Sequence, residues 1–368
     1  MTSADIIVIG GGIAGISAAA MLAQDAQVIV LEREAQTGYH STGRSAATFI
    51  RNYGNATLRA LNAAAEPVLT EPEGISDTSL LSPRGELLVA TEAEIGALEA
   101  YAKGSSGVER ITPDEAVGMV PVLKRDKLVA ALYEESAQDI DVDRLLQGYI
   151  RLLRARGGRI ETEAEVTAIT RQGADWQVTC GDHGYAAPIV VNAAGAWTDH
   201  LAAMAGVQTV GLQPFRRSAV LMAVPEGMET SHWPLTASAE ETWYAKPDAG
   251  KLLISPADED PVAPQDAWPD DMVLAEGLHR FEEATTFPIT RPTHSWAGLR
   301  SFVPDRTPVA GFAPDAPGFF WLAGQGGYGV QTAPTLAALT HALCCNAAPP
   351  VAPEVVAALD PARFAVPA

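Results

Sequence analysis

The chain has 368 residues, room for roughly two or three domains' worth of core, and its 47% hydrophobic and 19% charged content is that of an ordinary soluble globular protein. A formal net charge of −20 repels nucleic acid and anionic membrane surfaces, which excludes both as partners. The three cysteines, Cys180, Cys344 and Cys345, form no spaced framework, so the expectation is a reducing, cytoplasmic setting and no metal site.

The first apolar stretch, from Ile6 to Ala23, runs eighteen residues without a charge, near the length of a membrane span. No basic residue precedes it, and the glycines at 10, 11 and 12 divide it into a β-branched run and an Ala-rich helical run. With "QVIVLE" following at once, the reading is strand, glycine turn, helix, strand, and no transmembrane segment. Gly10, Gly12 and Gly15 form G-x-G-x-x-G directly after the first strand. In that pattern the glycines serve a tight turn, close approach of backbone to a pyrophosphate, and close helix–strand packing. A helix from about Ile13, through Ala14, then points its N–H groups and positive dipole end at phosphates. Glu32 closes the second strand twenty residues after Gly12, where an acid can hold both ribose hydroxyls. Together these elements predict a dinucleotide site.

The next segment decides between NAD and FAD. An NAD-type domain usually follows its acid with another crossover helix. Here Glu32 is followed by Arg33 and then by "GYHSTGRSAATFIRNYG", residues 38–54. Ser41, Thr42, Gly43, Ser45, Ala46 and Ala47 make a loop of small residues and hydroxyls around one basic side chain, Arg44. Such a loop can cradle the pyrophosphate from the other side and let a flat ring lie close to the backbone. Arg44 would add charge and hydrogen bonds near the phosphates or the ring. The pattern is that of a flavin site.

Residues from about Leu81 to Gln138 contain the β-like run "GELLVA". Asp141 or Asp143 can cap a helix through "DRLLQGYIRLLRAR", ended by Gly157 and Gly158. "RIETEAEVTAIT" and "WQVTC" then read as a hairpin. "IVVNAAGAWT" is a buried strand ending at Ala194 and Gly195, again open to close approach by a cofactor. "SAVLMAV" and "GKLLIS", between Gln213 and Arg291, return to strand character. Last comes "FFWLAGQGGYGVQTAPTLAALTHAL": a strand, a turn through Gly326, Gly327, Tyr328 and Gly329, then Val330 and a helix beginning near Gln331 or Thr332. A helix N-terminus at a flavin's pyrimidine edge stabilises the anionic reduced ring by about 0.3–2 kcal/mol.

These motifs, with "VNAAGAW", "WAGLRSF" and "QGGYGVQT", resemble the D-amino-acid oxidase (DAO) family of FAD-dependent oxidoreductases. Within it they are most similar to the bacterial D-arginine dehydrogenases, over nearly the whole chain. The resemblance implies an α/β protein with an α+β second domain. Its discontinuous Rossmann-like FAD-binding domain would take residues 1–80, 139–212 and 292–368. A substrate domain built on an antiparallel sheet would take 81–138 and 213–291. It implies noncovalent FAD, with Val166 and Trp197 among its neighbours.

The resemblance also implies chemistry. A D-amino acid, basic in the manner of D-arginine or D-lysine, would pass a hydride from Cα to flavin N5, and the imino acid would hydrolyse to a 2-oxo acid and ammonia. Arg217 and Arg300 match the carboxylate-binding arginines, and strand alternation allows only one of Arg216 and Arg217 to reach the pocket. Tyr53 and Tyr244 match aromatic residues that line and close it, Gly327 would offer its carbonyl to the amine, and Glu86 matches the acid that pairs with the cationic side chain. Where those enzymes carry His-Tyr-Thr, this chain has Thr48, Phe49 and Ile50, a more apolar wall. An N-methyl or other secondary amino acid is the alternative substrate, and a noncatalytic flavoprotein a further one. The expected acceptor is one other than oxygen, as in a dehydrogenase, and the expected assembly a monomer or dimer.

Overall fold

The computed structural model describes residues 1–364, so the last four residues of the segment expected to reach 368 lie outside it. The cofactor half is built on a six-stranded sheet in the order Arg159–Glu161, Val28–Leu31, Ile6–Ile9, Ile189–Asn192, Phe319–Ala323, Val309–Phe312. All neighbours are parallel except the last pair. A parallel sheet is covered on both faces, which is why its strands read as unbroken apolar runs. Alternation divides their side chains between two cores. Ile6, Val8, Val28 and Val30 pack against helices Ile13–Leu22, Val142–Ala155 and Gly329–Cys345. Ile7, Ile9, Ile29 and Leu31 pack under a meander of Ala168–Gln172, Asp175–Cys180 and His183–Ala187 and helix Thr198–Met204.

Of the two acids before the Val142–Ala155 helix, Asp141 is the cap, accepting from the Arg144 N–H at 2.9 Å. The expected hairpin after that helix divides in two. Arg159–Glu161 completes a crossover and adds to the edge of the parallel sheet beside Val28–Leu31, and the hairpin begins only at Ala168.

The second sheet has nine strands. Segments 81–138 and 213–291 interleave in it through one parallel pair, Glu86–Ala90 with Leu235–Ser238, and the other pairs are antiparallel. His294–Phe302 also runs in this sheet, paired along Gln213–Ala223. The strand that carries Arg300 therefore lies beyond the boundary expected at 292 yet belongs to the second sheet. No helix among the described residues is long and apolar enough to cross a membrane.

Candidate active site

The glycine turn is sterically required. Gly10 has φ +112°, and a Cβ there would fall 2.4 Å from the Ala193 carbonyl oxygen. A Cβ on Gly15 would meet the Gly10 carbonyl oxygen at 1.9 Å, so Gly15 acts through packing and lines neither of the two cavities described below. The open side of the turn faces a cavity of about 910 Å³, in the upper part of the range of roughly 300–1,000 Å³ usual for cofactor and ligand sites. Its walls include Gly10, Gly12, Ile13, Ala14, Glu32, Arg33, Ser41, Thr42, Val166, Ala194, Gly195, Trp197, Gly326 and Gly329.

Several of these side chains are held in place. Glu32 accepts the Gly11 N–H at Oε2 (2.6 Å) and the Glu34 N–H at Oε1 (2.8 Å). Arg33 lies over the Trp197 ring, 4.1 Å from its centroid. Thr42 Oγ1 accepts the Ile13 N–H at 3.0 Å, which ties the hydroxyl loop to the start of the helix. Gly43 belongs to that loop's turn, donating to the Gly38 carbonyl at 2.8 Å. Nε2 of Gln325, also on the cavity wall, is a buried donor with no partner among the described residues. A large cavity with glycines in its wall, a fixed acid and an orphaned donor fit a bound dinucleotide.

Arg44 has protein partners that its local sequence does not show: its guanidinium donates to Asp266 (2.5 Å) and to the carbonyls of Ala267 and Ala297 (3.0 Å each). The loop must be anchored across the second domain, and Arg44 does this together with Ser41, whose hydroxyl donates to the Leu299 carbonyl at 2.7 Å.

A smaller cavity of about 100 Å³ adjoins the large one through Ile13, Ser41, Thr42, Leu299, Gly326 and Gly329, which line both. It is walled by Ser45, Ala46, Val330, Tyr244, Gly327, Arg217 and Arg300, and by Arg44. The register Phe215↔Arg300 and Arg217↔Gly298 puts the two arginines on one face of adjacent strands, offset by two residues. Arg216 turns to the other face and pairs with Asp260 at 2.7 Å. Arg217 Nε donates to the Asp258 carbonyl at 2.8 Å. A Cβ on Gly327 would sit 2.9 Å from Cζ of Arg300, so the guanidinium lies flat against the backbone.

Tyr53 lines neither cavity, but its hydroxyl is 3.3 Å from Arg300 Nη1 and its ring packs on Tyr328 at 4.7 Å. Burial holds the Tyr53 phenol above its ordinary range, against the opposing pull of Arg300. The C-terminal helix starts at Gly329, earlier than expected. Gln331 faces inward and accepts the Ile50 N–H (3.2 Å), while Thr332 Oγ1 donates to the Tyr328 carbonyl (2.8 Å). Ala47, with φ +58°, turns the chain into Thr48, which pairs with Asp139. Ile50 is buried in a cluster with Ala137, Leu235, Tyr53 and Tyr244.

Glu86 is neither exposed nor paired with Arg84, which instead pairs with Asp139 at 2.8 Å. It shares a sheet face with Leu88, and Leu235, its parallel-strand neighbour, belongs to the Tyr53–Tyr244 cluster. Tyr101 donates to Glu86 at 3.0 Å, and Glu134 stands directly across the antiparallel pair. Burial first, then the Glu134 charge, pushes the Glu86 carboxyl up to about 8. Sequence reasoning missed Tyr101, Glu134 and Gln325. Gln325 opens the stretch "QGGYGVQT", whose later residues draw the attention, while Tyr101 and Glu134 sit in no motif, and Glu134 is marked only by ending a β-like run.

Residues 5–343 match the profile of the DAO family, FAD dependent oxidoreductases. The chain belongs to this family. Its cofactor is FAD, and it is a flavoenzyme. Among curated relatives of this DAO-family oxidoreductase, "FAD-dependent oxidoreductase domain-containing protein 1" of Bos taurus is 24% identical, covering 90% of this chain and 79% of the relative. Glycine oxidase from Geobacillus kaustophilus has a similar structure, with a TM-score of 0.81 at 22% identity over 95% of this chain and 96% of the other. L-proline dehydrogenase from P. horikoshii gives 0.83 at 22% identity over 99% and 98%. These likenesses are of fold.

Proposed function

We propose that this oxidoreductase oxidises a D-amino acid to an imino acid, which hydrolyses to a 2-oxo acid and ammonia, with a preference for basic side chains like that of the D-arginine dehydrogenases. The observation that carries it is the pair Arg217 and Arg300 on one sheet face, in a small cavity that adjoins the cofactor cavity. Two guanidinium groups converging there form a carboxylate clamp, since each can donate two parallel N–H bonds in a fixed plane. The bare backbone at Gly327 lets Arg300 lie against it and leaves a carbonyl for the substrate amine. The Tyr53 hydroxyl holds Arg300 in orientation, and Tyr244, packed in the apolar cluster with Ile50, closes that side of the cavity against water. When bound, FAD supplies the two-electron acceptor for the hydride that leaves Cα. Gly10, Gly12, Glu32, Thr42 and the turn at Gly326–Gly329 would hold it.

A second reading rests on Ile50. Its burial with Leu235, Tyr53 and Tyr244 makes the wall where a basic side chain would lie apolar, which favours a short neutral or secondary amino acid. We infer a cytoplasmic enzyme and an acceptor other than oxygen. The test is anaerobic bleaching of the flavin by a panel of D-amino acids, their L-enantiomers, sarcosine and proline. Bleaching by D-arginine and D-lysine ahead of D-alanine, and not by L-enantiomers, is expected. Bleaching by sarcosine or proline alone selects the second reading.

A further inference from the structure

We propose that Glu86 and Glu134 hold one proton between them in the ligand-free enzyme, and that a cationic substrate side chain takes the place of that proton. The proposal rests on the basic-substrate reading above. Glu86 and Glu134 are directly opposed in adjacent antiparallel strands, with relative exposures of 6% and 2%. Opposed side chains in such a pair have Cβ atoms about 4.5–5.5 Å apart. The Tyr101 hydroxyl, from helix Ile95–Gly104, stands 3.0 Å from Oε2 of Glu86 and 3.3 Å from Oε2 of Glu134. It has one proton to donate and cannot satisfy both acids.

The acids are not equivalent. Glu134 also accepts from Asn52 Nδ2 (2.8 Å) and Ser136 Oγ (3.2 Å), and Arg51, itself bonded to Glu66, attracts it. Tyr101 is the donor found on Glu86 among the described residues. The groups that face Glu86 are Glu134 from one neighbouring strand, apolar Leu235 from the other, Tyr101 from the helix, and Glu241 from the turn before Tyr244. None is a cation. Two buried carboxylates a few ångströms apart do not both ionise without one. The negative charge therefore rests on Glu134, where the donors are, and the proton on Glu86.

On binding, the Glu86 carboxylic acid gives its proton to solvent and becomes the carboxylate partner of the incoming guanidinium or ammonium. Charge in the compartment is conserved and nothing is oxidised or reduced. With a neutral side chain the proton stays. An apolar side chain is then accommodated without burying a second charge beside the cluster of Ile50, Leu235, Tyr53 and Tyr244.

The experiment is calorimetric titration of the FAD-loaded enzyme at pH 7 with 5-guanidinopentanoate or hexanoate, neither of which has an α-amine to react. Each titration is run in buffers of different ionisation enthalpy. Given a Glu86 carboxyl near 8, release of roughly 0.9 proton per guanidinopentanoate bound is expected, and none with hexanoate. Guanidinopentanoate affinity rises about tenfold per pH unit from 6 to 7.5. Glu134→Gln removes the like charge, and the proton release falls. Tighter binding of guanidinopentanoate than hexanoate without proton release, or release unchanged in Glu134→Gln, overturns the shared proton while leaving the basic-substrate reading intact. Equal binding of both ligands overturns the basic-substrate reading, and this proposal with it.

Discussion

Replacing Gly327 by Ala tests the clamp with little disturbance of the fold. The added Cβ would lie 2.9 Å from Cζ and 3.1 Å from Nε and Nη1 of Arg300. Non-bonded carbon contacts settle at about 3.5–4.0 Å, so the guanidinium must retreat by roughly 0.5–1 Å. The obstacle is the far end of a flexible side chain, and Gly327 carries no positive φ, so the backbone needs no rearrangement. A displacement of that size in a bidentate clamp costs up to about 100-fold, or roughly 1.4–2.7 kcal/mol for a 10–100-fold loss. The assay is the Kd of hexanoate, read from the perturbation of the flavin spectrum, together with kcat/KM and Tm. Hexanoate affinity is expected to fall 10–100-fold with Tm within a few degrees of wild type and the flavin retained. Unchanged carboxylate affinity in a folded, yellow Gly327→Ala protein would refute the assignment of Arg300 to the clamp.

Glu86→Leu is expected to lower kcat/KM for D-arginine or D-lysine at least tenfold more than for D-alanine or D-methionine, and equal losses would make Glu86 structural. The same residue predicts a pH effect on stability. Its folded-state carboxyl, near 8, lies above the ordinary 4.5. The folded chain therefore holds a proton that the unfolded chain has released, and stability falls as pH rises from 4.5 to 8. Glu86→Gln removes that loss, so its Tm gain over wild type, measured without ligand, is larger at pH 9 than at pH 6. A gain independent of pH would contradict the protonated acid. Thr42→Ala frees the Ile13 N–H and loosens the loop that walls the cofactor cavity. Weaker FAD retention on dialysis is expected, with the apoprotein's Tm lowered by no more than a few degrees. Acid precipitation of the wild-type protein should leave the flavin in the supernatant, and a yellow pellet would mean a covalent link.

What the sequence by itself determined is the part governed by short range. Ile6–Ile9, the turn at Gly10 and Gly12, and Glu32 lie within one βαβ unit, where backbone sterics and spacing leave few alternatives. The apolar runs Ile189–Asn192 and Phe319–Ala323 show their buried, parallel character for the same reason. The clamp was legible only through resemblance, since nothing local tells Arg217 from Arg216. Tertiary structure decided the partners. Nothing beside Arg44 along the chain shows its partner Asp266, 222 positions away. Arg159–Glu161 left its expected hairpin because the edge of the parallel sheet offered it a ladder. Glu86 carries no sign in its neighbours along the chain of what stands opposite. That depends on strand register and on the helix bearing Tyr101. Burial beside a second acid, which sets where the proton sits, is a property of the assembled sheet alone.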